Sequence, residues 1–244
     1  MKIAIIGYGA MGKEIEIAAK EKNILITNIF DIDTPLSANT QYDFDIAIDF
    51  STPNAVLDNV KLLAKLKKNI VIGATGWYAK IDEIKKIILE NEIGCIWSSN
   101  FSIGMQIFFK TLTVATQLAS QFKLYDTFIS DIHHRNKVDS PSGTATRLAN
   151  IIVENSNVKN TILTEQINRK ISSEELHIAA LRGGSIFGTH TVYFDSIADT
   201  VELTHRAKSR RGFVEGAIEA AKWIYNKKGF HCFDDILFDD RRIG

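Results

Sequence analysis

Two short segments carry the residue types that chemistry requires. The first is His133-His134-Arg135-Asn136-Lys137-Val138-Asp139-Ser140-Pro141-Ser142-Gly143-Thr144, where imidazole, guanidinium and ammonium groups fall together and run into a predicted helix. Unperturbed histidine titrates at about 6.5 and lysine at about 10.4, so His133 and Lys137 form a reasonable acid–base pair. Ser142, Gly143 and Thr144 stand where that helix begins. Free N–H groups and the positive end of the helix dipole there suit a carboxylate, with Lys137 as its counter-charge or as a proton donor. Paired histidines also ligate metals, but no Cys or acidic pattern completes a tetrahedral set, so no metal is expected. A solvated basic loop is the plain alternative. Chemistry is favoured by the helix N-terminus, in a chain that carries a second site.

That second site is Gly7-Tyr8-Gly9-Ala10-Met11-Gly12, a G-x-G-x-x-G. Alone the pattern is weak; here it sits between a predicted strand and a predicted helix, as a dinucleotide site requires. Gly7 permits the tight turn, Gly9 lets the backbone approach a pyrophosphate, and Gly12 lets helix and strand pack closely. Asp31 ends the second strand, 24 positions on (31 − 7). A carboxylate there accepts hydrogen bonds from a ribose 2′-OH and repels a 2′-phosphate, and Asp33 is an alternative. No Arg or Lys occurs in residues 31–41, so NADH is expected in preference to NADPH. Two further strand ends, Gly73-Ala74-Thr75 and Ser99-Asn100-Phe101, should line the same crevice, because ligands bind at the carboxyl ends of parallel strands.

These residues need elements to hold them. Over residues 1–100, apolar runs predict strands at 2–6, 24–30, 45–50, 69–73 and 94–98. Helices are predicted between them at 11–20, 53–66 (with Pro53 in its first turn) and 79–90. Such alternation means a Rossmann-type doubly wound α/β parallel sheet, covered on both faces. Beyond Asn100 the rhythm changes. A helix is predicted at 104–121, a strand at 124–133, a helix at 142–154, strands at 176–182, 189–195 and 200–205, and a last helix at 213–225. Residues 156–174 give no assignment. The second segment reads as an α+β domain with a mixed sheet. Residues 1–103 with 211–244 are expected to form the dinucleotide-binding domain, and 104–210 the substrate-binding and oligomerisation domain.

Composition narrows the function classes. The chain has 244 residues, 45% of them hydrophobic, and 29 Lys+Arg balance 29 Asp+Glu, so nothing global points to nucleic acid. No apolar stretch reaches the ~18 residues of a membrane span. Lys13 and Glu14 follow the first apolar run at once, unlike a signal peptide. The two cysteines have no metal-like spacing, and a reducing cytoplasm fits best. His177, His190 and His205 read as structural histidines. Arg182, Arg206, Arg210 and Arg211 are candidates for contacts with the cofactor or a neighbouring subunit.

The sequence resembles the dihydrodipicolinate (4-hydroxy-tetrahydrodipicolinate) reductase family. His133–Thr144 looks like the family's HHRxKVDxPSGTA-type signature. Gly7–Gly12, Asp49-Phe50-Ser51, Gly73–Gly76, Asn100–Gly104, Arg182-Gly183-Gly184, Gly188-Thr189-His190 and Thr204–Ala207 match in order. Ser140 replaces the usual Ala, Trp77 stands where Phe is commoner, and the chain is short after Asp31. The resemblance implies NADH- or NADPH-dependent reduction of a cyclic dicarboxylate in lysine and diaminopimelate biosynthesis. It implies His133 as general acid/base and Lys137 as proton donor. Substrate-carboxylate contacts fall on His134, Lys137, Ser142, Gly143 and Thr144. Cofactor contacts fall on Gly7, Tyr8, Gly9, Ala10, Met11, Gly12, Asp31, Gly73, Ala74, Thr75, Ser99, Asn100 and Phe101. It also implies a homotetramer built through the second-domain sheets. A different Rossmann dehydrogenase, for aspartate or a sugar, and a non-catalytic NADH sensor are the competing readings.

Overall fold

The structure, a computed structural model, describes residues 1–122 and 124–237. In chain order its first elements are β1 (Lys2–Ile6), α1 (Ala10–Glu21), β2 (Leu25–Phe30), β3 (Ile46–Asp49), α2 (Val56–Lys65), β4 (Asn69–Ile72), α3 (Ile81–Glu90) and β5 (Gly94–Trp97). Then come α4 (Ile103–Ala119), β6 (Asp126–His133), α5 (Gly143–Asn155), β7 (Thr161–Leu163), β8 (Glu175–Arg182), β9 (Thr189–Asp195) and β10 (Thr200–Arg206). The chain closes with α6 (Arg211–Ile224), β11 (Gly229–Cys232) and α7 (Phe233–Leu237).

The chain forms two compact units. The first comprises Met1–Ile103 and the segment from Arg210 onward. Its six strands lie in the order β11-β5-β4-β3-β1-β2, all parallel. Side chains alternate across a strand, so neighbouring residues of β1 enter opposite cores. Ile3 and Ile5 join Ile15 and Ala18 of α1 and Val214, Ala217 and Ile218 of α6. Ala4 and Ile6 join Val56, Val60 and Leu63 of α2 and Ile84 and Ile88 of α3. β1 lies between β2 and β3, so the strand order reverses at β1, and the turns after β1 and β3 flank the point where an open α/β sheet binds ligands.

The second unit is Gly104–Ser209, with a sheet in the order β10-β9-β6-β8-β7. β9 is antiparallel to both β10 and β6. β8 is parallel to both β6 and β7. One face packs on α4 and α5 through Phe108, Phe109, Leu112, Leu148, Ile152, Ile129, Ile178 and Val192. The period of two along β6 puts Thr127, Ile129, Asp131 and His133 on the covered side, and this delivers two polar side chains to the end of a buried face.

Several boundaries differ from the sequence expectation. Pro53 lies in a turn closed by the Ala55 N–H donating to the Thr52 carbonyl (3.0 Å), and α2 begins only at Val56. The stretch expected as one helix from Ala79 opens with a 3₁₀ turn, Tyr78–Lys80. β6 starts at Asp126 rather than Leu124, which is exposed. β7 and β11 were not expected: one is three residues long in a polar stretch, the other four half-buried residues led by a glycine. No helix among the described residues is long and apolar enough to cross a membrane.

Helix α6 sits against the sheet at a glycine. A Cβ on Gly216 would fall 1.7 Å from the Phe101 carbonyl oxygen. In an open helix interior Gly→Ala stabilises by up to ~1 kcal/mol. Here overpacking reverses the sign, and Gly216→Ala is expected to cost about 1–3 kcal/mol, read as a lower urea midpoint. An unchanged or raised midpoint would contradict this packing.

Candidate active site

In the first unit the glycine turn after β1 is built for close approach. Gly7 has φ +86°, and a Cβ on it would lie 2.7 Å from the Phe50 carbonyl oxygen. Its N–H donates to the Phe30 carbonyl at 2.9 Å, which ties the turn to the end of β2. A Cβ on Gly12 would lie 2.3 Å from the Gly7 carbonyl oxygen. Gly9 is different. It is the N-cap of α1, no described side chain caps the helix there, and the first turn holds no acidic residue. A Cβ on Gly9 would meet no described atom within 4 Å. The helix N-terminus therefore offers its N–H groups to open space that any side chain at Gly9 would fill, which fits a dinucleotide pyrophosphate.

The other predicted cofactor residues divide between exposed and packed positions. Ala10, Thr75 and Ser99 are exposed. Tyr8 donates its hydroxyl to Glu16 of α1, and Met11 packs on the core. Asp31 is exposed directly after β2 and pairs with Thr34 in a short bridge, with Oδ1 accepting from the Ile32 N–H at 3.0 Å. Phe101 is a core side chain, tilted against Phe233 with ring centroids 5.0 Å apart, so only its backbone can reach a ligand. Gly73 clears the Phe50 ring, which a Cβ would meet at 2.2 Å, and Gly73 and Ala74 both donate to the Asp49 carbonyl at 2.8 and 3.2 Å. Asp49 itself is fully buried. Its carboxylate accepts from the Ser51 N–H (2.8 Å) and from Asn59 (2.9 Å), and burial pushes its pKa up. It braces the 49–51 turn against which Gly7 packs.

In the second unit the chemistry gathers around Asp131, a fully buried carboxylate on β6. Its Oδ1 lies 2.8 Å from Ser142 Oγ, 3.0 Å from His133 Nε2 and 3.2 Å from His190 Nε2. Its Oδ2 accepts from the Ser142 N–H at 2.8 Å and from Arg182 Nη2 at 3.0 Å. Burial works against the charge, but His190, both Ser142 groups and Arg182 outweigh it and hold the pKa well below the ordinary carboxylate range. The two imidazoles are 3.2 Å apart, Nε2 to Nε2. For His133 burial is the main influence and lowers its pKa, only partly opposed by Asp131, which favours the neutral ring. Register explains the convergence: Asp131 stands opposite His190 across β6 and β9, and His133 stands beside Arg182 across β6 and β8.

The loop after β6 carries the cationic part. Lys137 Nζ lies 2.7 Å from Asp139 Oδ1, and the Gly143 N–H donates to Asp139 Oδ2 at 3.4 Å. An ammonium group and a helix N-terminus thus already hold one carboxylate between them. Gly143 is exposed, and His134 and Thr144 are half-buried in the same segment.

Three sequence expectations change. Ser142 was expected to offer its N–H to a ligand; it is buried and donates to Asp131 while its Oγ caps α5 by accepting from the Ala145 N–H at 3.1 Å. Arg182, a candidate for cofactor or subunit contact, donates to Asp131 and to the Asp139 carbonyl (2.7 Å). His190, expected to be merely structural, faces His133. Asp131 was missed altogether, although its place two residues before His133 on a strand put both on one face. The three donors Asp131, His133 and His190 are close enough to suggest a metal-ligand set, contrary to the sequence expectation that no acidic partner exists. Their surroundings favour a hydrogen-bonded cluster. Arg182 already neutralises the carboxylate, and His190 Nδ1 has no hydrogen-bond partner among the described residues, where a metal-bound imidazole has its second nitrogen held by an acceptor.

A parallel sheet reversing at a glycine turn, joined in one chain to a buried carboxylate–histidine cluster, defines a two-unit oxidoreductase of the Rossmann type. Comparison with known proteins makes the class specific. The family described as "Dihydrodipicolinate reductase, N-terminus" matches residues 1–101, and "Dihydrodipicolinate reductase, C-terminus" matches 104–237. The chain belongs to the dihydrodipicolinate reductase family. It is 37% identical over 240 residues to the 4-hydroxy-tetrahydrodipicolinate reductase of Christiangramia forsetii, covering 98% of each chain. It is 43% identical over 197 residues to that of Methanocaldococcus jannaschii, covering 79% of this chain and 71% of the relative. In fold it is similar to a dipicolinate-bound dihydrodipicolinate reductase from a Paenisporosarcina species, with TM-score 0.74, 22% identity, and 97% and 99% of the two chains covered.

The second and third glycines of the turn separate binding from packing. Gly9→Ala is expected to leave the melting midpoint unchanged and to weaken NADH binding about tenfold or more by obstructing the helix N-terminus. Gly12→Ala is expected to lower the midpoint, because its Cβ meets backbone. Dye-monitored melting and NADH fluorescence titration check both; equal NADH affinity in Gly9→Ala and wild type would remove the pyrophosphate from this turn.

Proposed function

We propose that this chain reduces 4-hydroxy-tetrahydrodipicolinate to tetrahydrodipicolinate in lysine and diaminopimelate biosynthesis, using NADH in preference to NADPH. The observation that carries this reading is the Asp139 carboxylate lodged between Lys137 Nζ and the Gly143 N–H. Groups that hold an internal carboxylate can hold one from a dicarboxylate substrate in its stead. His134 and Thr144 line the same segment and supply further polar contacts. A reduced nicotinamide bound at the glycine turn supplies the hydride. The chain's own residues do the rest. Lys137 and the α5 N-terminus bind and orient the anion, and their positive charge favours the negative charge that develops on the substrate. Lys137 or His133 delivers the proton. Burial lowers the pKa of His133, and Asp131, 3.0 Å away, is the neighbour that favours its imidazolium.

The cofactor preference rests on Asp31, exposed beside the glycine turn, and on the lack of any Arg or Lys in residues 31–41. A 2′-phosphate there meets a carboxylate and no cation.

The substrate is best generated in place from pyruvate and aspartate semialdehyde by the preceding synthase, with loss of reduced-nicotinamide absorbance followed separately for NADH and NADPH. Synthase-dependent loss, faster with NADH, is expected. Lys137→Ala should lower the rate by about 100-fold or more, the scale of a lost proton donor, while NADH titrates as in wild type. No oxidation by folded, NADH-binding protein would overturn the assignment. We also infer a homotetramer built through the second sheet. Its face opposite α4 and α5 exposes Leu181 and Phe128, the latter stacked on Tyr193 at 4.6 Å, and apolar side chains on an open sheet favour burial against further copies. Sedimentation should give four times the chain mass; a monomer would refute it.

A further inference from the structure

We propose that Asp131 and His190 are positioning residues for His133, and that the same Asp131 carboxylate fixes the N-terminus of α5, so that the acid–base ring and the carboxylate cradle share one frame. A buried carboxylate needs compensation, and Arg182 with the two Ser142 groups already provides it. A purely structural anion would stop there. Two imidazoles nevertheless converge on the one oxygen, Oδ1. Nε2 of His133 lies 3.0 Å from that oxygen and 3.2 Å from His190 Nε2, and the adjoining Cε1 faces Gly188, where a Cβ would lie 2.8 Å away. The ring is thus held among a carboxylate, a second imidazole and bare backbone, which explains the glycine at 188. Arg182 extends the frame, since it donates both to Asp131 and to the carbonyl of Asp139 in the cradle loop.

The arrangement governs charge as well as orientation. The groups facing His133 are Asp131 from β6, His190 from β9, Arg182 from β8 and Lys137 from the following loop. Only Asp131 favours the imidazolium; burial and the other three oppose it. The two substitutions therefore move His133 in opposite directions. Asp131→Asn removes the supporting charge and lowers its titration point, whereas His190→Asn removes an opposing group and raises it. A residue that merely props up the fold moves neither.

The kinetic part rests on the reductase reading; the titration does not. The experiment is an NMR titration of the His133 ring in the full chain, assigned with His133→Asn, for wild type, Asp131→Asn and His190→Asn, beside the coupled assay across pH. The expected result is opposite displacements of the His133 titration. In Asp131→Asn, kcat should fall about 100-fold with NADH affinity retained and the alkaline limb of its pH profile, set by a proton donor, moved down. Equal His133 titration in all three proteins overturns the proposal, as does a loss of kcat with an unmoved alkaline limb. If Asp131→Asn does not fold, His190→Asn, which keeps the Asp131–Arg182 pair, decides alone: a raised titration supports the proposal and an unchanged one overturns it. If wild type turns over no substrate yet His133 moves as expected, the positioning stands and the reductase reading falls.

Discussion

A carboxylate removed from water must be surrounded by donors, and Asp131 imposes that demand on the second unit. Its two oxygens take hydrogen bonds from the backbone and side chain of Ser142 and from Arg182, and two imidazole nitrogens lie 3.0 and 3.2 Å from one of them. These groups come from the start of α5 and from β8, β6 and β9, so one desolvated charge makes four elements agree on their relative positions. Strand register brings the partners within reach, and the N-cap geometry of α5 turns the serine toward them. The cationic loop, anchored through the Arg182–Asp139 contact, has little freedom to drift from this frame. Preorganisation of this kind lets a site stabilise developing charge without reorganising at the moment of reaction.

The first unit answers to a different constraint, the close approach of backbone to backbone. Gly7 and Gly12 exist because Phe50 and Gly7 carbonyls occupy the space a Cβ would need, whereas no described atom occupies that space at Gly9. Packing explains two of the three glycines, and packing among the described residues does not explain the third. Asp49 completes the turn from beneath with a buried carboxylate that, among the described residues, is satisfied by neutral donors. Its burial raises its pKa where Asp131, with Arg182 beside it, goes the other way.

How much of this was legible in the sequence depends on whether the determinants are local. The first five parallel strands were, since burial on both faces leaves an uninterrupted apolar run such as 3–6 of β1. The glycine turn and the His133–Thr144 segment were too, because each is contiguous and lies beside a helix start. β11 was not legible: its four half-buried residues lack both a run and an alternation. The Asp131–His190 pair was not either, because cross-strand register is a tertiary fact. Ser142 was misread for the same reason. A serine at a helix start looks the same whether its N–H faces a ligand or a carboxylate from a distant strand.

The most direct test of the account is the tautomer of His133 in the unliganded wild-type chain, read by long-range proton–nitrogen correlation at neutral pH. A carboxylate oxygen 3.0 Å from Nε2 favours the hydrogen on that nitrogen, so the expected result is a neutral ring with its hydrogen on Nε2 and slow to exchange with water. A ring protonated on Nδ1 instead, or one whose Nε2 hydrogen exchanges as freely as in an exposed histidine, would contradict the claim that one buried carboxylate organises the site.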